Sequence, residues 1–174
     1  TQCFAKMGYK IIKLSFDRRN IDYAKYTLNQ VKCLKLDLER IGRKEAIRMD
    51  KDLIVRLDIE AMYPIITYEL VAEAVRHYAK EFSDEETARV EAGLDMLKFS
   101  MSNCLINFRE KYFQYGKEKD PLKRVLTIGG FDTAWLADLV ACYILEKTEK
   151  VWSETFDYFK IYRDDGCGLA RNTT

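Results

Sequence analysis

The chain has 174 residues, of which 48% are apolar and 33% charged, with a formal net charge of +1. Its length suits one domain, or one large and one partial subdomain, and the apolar fraction is enough to bury a sizeable core. The near-neutral balance excludes a global attraction to nucleic acid or to a membrane surface, so any such contact must use a local patch.

No apolar run reaches the roughly 18 residues that cross a bilayer. No signal peptide is visible either, because Lys10, Lys13, Arg18 and Arg19 are mixed with single apolar residues. Thr1 is not a natural start, so the chain reads as a fragment or a processed product. The cysteines (Cys3, Cys33, Cys104, Cys142 and Cys167) are odd in number, scattered, and without a C-x-x-C pair. This argues against a zinc site and a disulfide framework, and for reduced, mostly buried thiols in an intracellular protein. His77 is the single histidine, in a helix-like run with no partner motif, which leaves it a structural or surface role rather than one in a His-based triad or zinc protease.

Taken in chain order, residues 22–41 are expected to form a helix, with Ala24, Leu28, Val31, Leu34, Leu38 and Ile41 on one face and Gly42 as its stop. Residues 51–58, "KDLIVRLD", form a short apolar strand that ends on a carboxylate, and "IEAMYP" turns the chain. Thr67 caps a helix that turns Leu70, Val71, Ala74, Val75, Tyr78 and Phe82 inward. Ser83 and Glu86 make a capping box for the next helix, lined by Val90, Leu94, Leu97 and Met101. "INFREKYFQYG" reads as a strand or ribbon, "KEKDPLK" as a charged loop, and "RVLTIGG" as a strand stopped by two glycines. Residues 133–147 form a helix with Leu136, Leu139, Val140, Tyr143 and Ile144 inward. Residues 156–171, "FDYFKIYRDDGCGLAR", close the chain as a hairpin with two adjacent aspartates at its turn. The order implies an α+β domain, one antiparallel sheet with helices packed on one face, in a split β-α-β arrangement.

If the closing hairpin lies beside the first strand, Asp58, Asp164 and Asp165 meet at one edge of the sheet. Three such charges repel by several kcal/mol at the effective dielectric of a partly buried site, so protons or divalent cations must neutralise them. Oxygen-only ligands point to magnesium or manganese, and two such ions on shared carboxylates are a standard device for in-line phosphoryl transfer. A lone Asp-Asp-Gly is a common turn. The ordered set is more specific: a strand-end Asp58 with Tyr63 five residues later, then Gly129-Gly130, then Tyr162-Arg163-Asp164-Asp165 in a hairpin.

That set resembles the palm of reverse transcriptases, especially those of Penelope-like retroelements. "VRLDIEAMYPII" resembles the family's first palm motif, "TIGGFDTAWLADLVACYILE" its second, and "YRDDG" its third, so that the resemblance runs from about Leu53 to Gly166. It implies a polymerase palm-like sheet over residues 51–174, a partial fingers-like helical segment over residues 1–50, and a thumb that would follow residue 174. By the same resemblance Asp58 and Asp164 would hold two magnesium ions, with manganese as a substitute, and Asp165 would tune the site. Tyr63 would be the aromatic gate that rejects a ribose 2′-hydroxyl. The backbone from Ile59 to Met62 would contact the triphosphate, Gly129 and Gly130 would approach the templating base pair, and Tyr162 would pack near the primer end. Taken without the family, Tyr63 and Tyr162 are ordinary core or strand aromatics and the two glycines a simple turn.

The implied function is RNA-directed DNA polymerisation, with an RNA or DNA template, a primer and dNTPs as partners, no membrane, and an intracellular location for which the nucleus is one candidate. The alternatives are a reverse-transcriptase-derived domain that has lost catalysis and binds nucleic acid or protein, and an RNA-directed RNA polymerase, against which Arg163 and Tyr63 count. The second motif departs from the family, with bulky Phe131 and Trp135 and with Asp138 in place of the usual Asn. Two basic clusters are candidate nucleic-acid contacts: Lys32, Lys35, Arg40, Arg43, Lys44, Arg48, Lys51 and Arg56, equally readable as a solvated helix face, and Arg109, Lys111, Lys117, Lys119, Lys123 and Arg124 beside the stacking surfaces of Tyr112, Phe113 and Tyr115. Lys10, Lys13, Arg18 and Arg19 are upstream candidates for gripping the triphosphate.

Overall fold

The computed structural model describes residues 2–17, 25–28, 30–44, 47–48, 51–114, 119–127 and 133–170. The fold is α+β, with helices and small antiparallel sheets. The helices are α1 (Gln2–Asp17), α2 (Val31–Lys44), α3 (Met62–Ile65), α4 (Tyr68–Tyr78), α5 (Asp84–Ser102) and α6 (Thr133–Trp152). The strands are β1 (Leu53–Asp58), β2 (Leu105–Phe108), β3 (Lys111–Gln114), β4 (Tyr158–Tyr162) and β5 (Asp165–Ala170). Chain contacts separate two compact units, one made of Thr1–Ile21 and Ala61–Val140, the other of Asp22–Glu60 and Ala141–Thr174. Each unit draws on two stretches of sequence.

The first unit is helical. Thr67 caps α4 by accepting from the Leu70 amide, and Ser83 and Glu86 form the expected capping box at the start of α5. Ile12 and Phe16 of α1 and Leu94 and Leu97 of α5 are fully buried. The helices α1 and α5 touch through glycines: a Cβ added to Gly8 would lie 2.7 Å from the Gly93 carbonyl oxygen, and one added to Gly93 would lie 2.7 Å from Ile12 Cγ1. Only the missing side chains let the backbones approach so closely. Arg76 of α4 grips Glu91 of α5 by two hydrogen bonds of 2.7 and 2.8 Å. The aromatic ribbon is a separate two-stranded hairpin, β2–β3, so the expectation of one sheet is corrected to two. Of "RVLTIGG", the described part makes one bridge, Val125 to Thr67, and no named strand; Gly129 and Gly130 lie outside the described residues.

The second unit holds the three-stranded antiparallel sheet, in order β1-β5-β4. Alternation puts Tyr158, Lys160, Asp165, Cys167, Arg56 and Asp58 on one face, and Phe159, Ile161, Gly166, Gly168 and Leu57 on the other. The second face packs on the end of α6: Phe159 stacks with Phe156 at 5.5 Å and meets Trp152 at 5.8 Å. Gly168 makes room for this, because a Cβ there would lie 2.7 Å from the Phe156 ring. The polar face receives α2, whose Asp37 accepts from Lys160 Nζ at 2.9 Å and from Tyr158 Oη at 3.1 Å. Helices therefore meet both faces of this sheet, not one as expected, because its polar face carries buried donors that need an acceptor.

Three further expectations change. The helix expected over residues 22–41 begins at Val31 and runs through Gly42 to Lys44. Before it, Leu28 N–H donates to the Ile161 carbonyl at 2.8 Å and Ile161 N–H to the Tyr26 carbonyl at 3.0 Å, so this stretch is bonded to β4 instead of to its own next turn. Ile144, expected inward, is 43% exposed, while Leu136, Leu139, Val140 and Tyr143 are buried. Of the cysteines only Cys142 is buried, and all five are free thiols.

Candidate metal and nucleotide site

The strand β1 is led in by Asp52, a buried carboxylate that accepts from the Arg48 amide at 2.7 Å. Six residues of β1 then pair with β5, and the ladder ends with Asp58 directly opposite Asp165. One step further, the Ile59 amide donates to the Asp164 carbonyl at 2.8 Å. On the other side of β5, Tyr162 pairs with Asp165, which leaves Arg163 and Asp164 as a two-residue loop. Arg163 has φ 59 and Asp164 has no positive φ, the pattern of a type II′ turn whose twist suits paired strands. So Asp58, Asp164 and Asp165, widely separated in sequence, end one sheet together, with Tyr162 beside them. Asp58, Asp164 and Asp165 are exposed, and Tyr162 is half-buried.

Asp58 and Asp165 are a like-charged cross-strand pair, an arrangement that is destabilising on its own. Arg56 offsets it. It lies two residues before Asp58, hence on the same face, and diagonal to Asp165. Its Nη2 and Nε donate to Asp165 Oδ1 at 2.8 and 3.3 Å. That hydrogen bond, with the charge of Asp165 and a smaller contribution from Asp58, holds the guanidinium above its ordinary pKa. One strand over on the same face, Lys160 is engaged by Asp37. Burial pushes the Asp37 carboxyl up, but the hydrogen bond and charge of Lys160, with help from Tyr158 and Arg40, bring it below its ordinary value. Burial first, and then the negative charge of Asp37, push the Tyr158 hydroxyl well up.

The donor chemistry suits a hard divalent cation, since carboxylate oxygens are its preferred ligands. Among the described residues, however, no group of three or more Asp, Glu, His or Cys side chains converges as a metal-ligand set. Asp165 meets Arg56 through one carboxylate oxygen, Oδ1. Asp58 and Asp164 form no ion pair among the described residues.

The other expected site residues are distributed differently. Ile59 belongs with the aspartates, and its amide donates to the Asp164 carbonyl. Tyr63 is half-buried in α3, in the helical unit. Gly129, Gly130 and Phe131 lie outside the described residues. Trp135 packs edge-on against Tyr9 at 5.7 Å and Phe16 at 5.9 Å, so its bulk belongs to an aromatic cluster of the helical unit. Most of the first basic cluster is spent on ion pairs: Lys35 and Arg43 with Glu39, Arg40 with Asp37, Arg48 with Asp52, and Arg56 with Asp165. That is the pattern of a solvated, charge-alternating surface. Lys13 pairs with Asp17. In the second cluster Arg124 is buried, while Tyr112 is 70% exposed and Arg109 lies over the Phe108 ring at 5.3 Å.

Residues that sequence reasoning missed are Arg56 as the partner of Asp165, and Asp37 as the partner of Lys160 and Tyr158. The i, i+2 spacing of Arg56 and Asp58 on a strand was the available signal for the first. No helix among the described residues is long and apolar enough to cross a membrane. Comparison with protein families, with curated proteins and with solved structures finds no match to this chain.

Proposed function

We propose that the chain is the palm-like part of an RNA-directed DNA polymerase, which adds deoxynucleotides to a primer 3′-hydroxyl on a nucleic-acid template. The observation that carries this reading is the strand register: Asp58 stands opposite Asp165, and the Ile59 amide ties the end of β1 to Asp164. With it goes the order of the motifs, a strand-end Asp with an aromatic five residues on, then paired glycines, then Tyr-x-Asp-Asp. Magnesium or manganese bound there would activate the attacking hydroxyl and stabilise the departing pyrophosphate. Asp58 and Asp164 are the residues that would hold it. Asp165 orders Arg56, and Tyr162 flanks the turn on the primer side. Tyr63 would exclude a 2′-hydroxyl by its bulk.

The reading is tested with the full-length protein on a primed RNA template in magnesium, comparing dNTP with rNTP incorporation. Extension with dNTPs, poor use of rNTPs, and a gain in rNTP use on Tyr63→Ala are expected. Preference for rNTPs would favour an RNA-directed RNA polymerase instead.

The pairing of Asp165 with Arg56, and the want of a converged three-carboxylate group among the described residues, favour a second reading: a reverse-transcriptase-derived domain that binds nucleic acid or protein without catalysis. No primer extension together with no metal binding at millimolar magnesium would establish it over the first.

A further inference from the structure

We infer that the solvent face of the α1–α5 helix pair is an interface between two copies of this chain, related by a twofold axis that runs parallel to the helices. This interface belongs to the helical unit alone and is independent of the aspartates at the sheet end.

Helix α1 carries more apolar surface than its packing uses. Gly8 and Ile12 are buried against α5. Beside them Phe4, Met7, Ile11 and Leu14 recur at helical spacing as a second stripe. Phe4, Met7 and Leu14 are 45%, 46% and 59% exposed. The stripe continues onto α5. The Phe4 ring meets the Phe99 ring at 5.1 Å, and Phe99, itself exposed, shares a face with Ala92 and Met96 by its i, i+3 and i+7 spacing. Water thus meets an apolar face built from two helices, the kind of patch that marks an interaction site.

The charges on its two rims say what covers it. Lys6, Lys10 and Lys13 run along the α1 rim, and the exposed Asp95 stands on the α5 rim. The two helices are antiparallel, with Phe4 at Phe99, Gly8 between Gly93 and Leu97, and Ile12 at Gly93. Lys10 and Asp95 therefore lie at one level, on opposite sides of the apolar face. A twofold axis parallel to the helices lays each apolar face on its twin and brings each Lys10 to the Asp95 of the other copy. Near one end of the face Arg89 and Glu85 neutralise each other. An anionic membrane surface would suit the lysines but be repelled by Asp95; a second copy suits both rims. The 16 residues of α1 span about 24 Å and two helices about 20 Å, roughly 500 Å2 for each copy. That is the scale of a weak, transient interface, so the dimer is expected to form at micromolar concentrations and not below.

The test is sedimentation equilibrium of the chain from low to high micromolar concentration, with circular dichroism to check that each variant is folded. The unmodified chain is expected to pass from its 20.5 kDa monomer to a dimer. Leu14→Glu puts a charge into the stripe at an exposed position and is expected to leave a folded monomer throughout. Phe113→Glu, on the exposed β2–β3 hairpin, is expected to dimerise as the unmodified chain does. Lys10→Glu is expected to weaken the dimer roughly three- to tenfold, and the exchange Lys10→Glu/Asp95→Lys to restore it. A dimer that survives Leu14→Glu, that Phe113→Glu disrupts equally, that Lys10→Glu leaves unchanged, or that the exchange fails to restore overturns the inference. So does a monomer at every concentration. If that monomer binds phosphatidylserine vesicles and loses them on Leu14→Glu, the face belongs to a membrane surface instead.

Discussion

The hairpins β2–β3 and β4–β5 are both closed by two-residue loops without glycine, yet one is exposed along its whole length and the other carries the buried centre of a sheet. In β2–β3 the loop residues Arg109 and Glu110 both have positive φ, the type I′ pattern. Leu105, Ile106, Phe108, Tyr112 and Phe113 are all exposed there. In β4–β5 only Arg163 has positive φ, and β1 adds a third strand along β5. Turn chemistry therefore made two hairpins, but it did not decide their roles. What separates them is the surroundings. Gly166 and Gly168 let Phe156 and Phe159 approach β5 closely, Trp152 supports the rings, and Asp37 satisfies the polar face. A two-stranded ribbon alone is marginal in water; a third strand and a packed face give it independent support.

The difference can be broken most forcefully at one phenylalanine in each hairpin. Phe159→Ala should destabilise the chain by about 3–5 kcal/mol, the cost of a lost buried ring. Phe113→Ala, at an exposed position, should change stability by no more than about 0.5 kcal/mol. Chemical denaturation of the two variants checks both values, and equal effects would erase the distinction between the hairpins.

Next in size is the ionic support of β4. Asp37→Ala should cost about 1.5–3 kcal/mol, since it removes the charged acceptor of two hydrogen bonds. The pKa of Asp37 is lowered in the folded chain, so its contribution is fully present above the ordinary carboxylate pKa, near about 3.9, and is lost as pH falls through its lower folded value. The stability gap between the unmodified chain and Asp37→Ala should accordingly be constant from neutral pH down to about pH 5 and shrink only below about pH 4. Denaturation midpoints across that range measure it. A gap that widened on acidification would show that the partnership of Asp37 with Lys160 and Tyr158 was misassigned.

The smallest effect has the opposite sign. Asp58→Asn removes one of two like charges facing each other across β1 and β5. It should raise stability by roughly 0.2–1 kcal/mol while removing metal-dependent activity. A thermal melt paired with a primer-extension assay would read both. Stabilisation accompanied by loss of function is the behaviour of a charge kept for chemistry and not for folding.

Much of this was legible in the sequence, and the limits have physical causes. The Ser83–Glu86 capping box and the Thr67 cap are local hydrogen-bond devices, so spacing alone located them. Strand-like alternation located β1, the ribbon and the closing hairpin. The start of α2 was missed because residues 26–28 look helical by periodicity but bond to Ile161, a partner far along the chain. The division into two sheets was missed for the same reason, since pairing partners are non-local. The helix α1 was not foreseen as a distinct element; its signal, Gly8, Ile12 and Phe16 one turn apart, is short and interrupted by charge. At the site, residue types and order marked Asp58, Asp164 and Asp165. Their register, the bond of the Ile59 amide to Asp164 and the pairing of Asp165 with Arg56 depend on which strands neighbour which, and spacing does not encode that.

The central claim is that the aspartates at the β4–β5 turn are there for metal-dependent nucleotide addition, whereas the acidic residue at the β2–β3 turn is not. It is tested most directly by single-turnover primer extension with dNTPs and magnesium, comparing Asp164→Ala with Glu110→Ala in the full-length protein. The account predicts that Asp164→Ala lowers the rate by at least about 10³-fold, the equivalent of several kcal/mol of lost transition-state stabilisation, while Glu110→Ala leaves it unchanged. Extension by Asp164→Ala at the unmodified rate would contradict it.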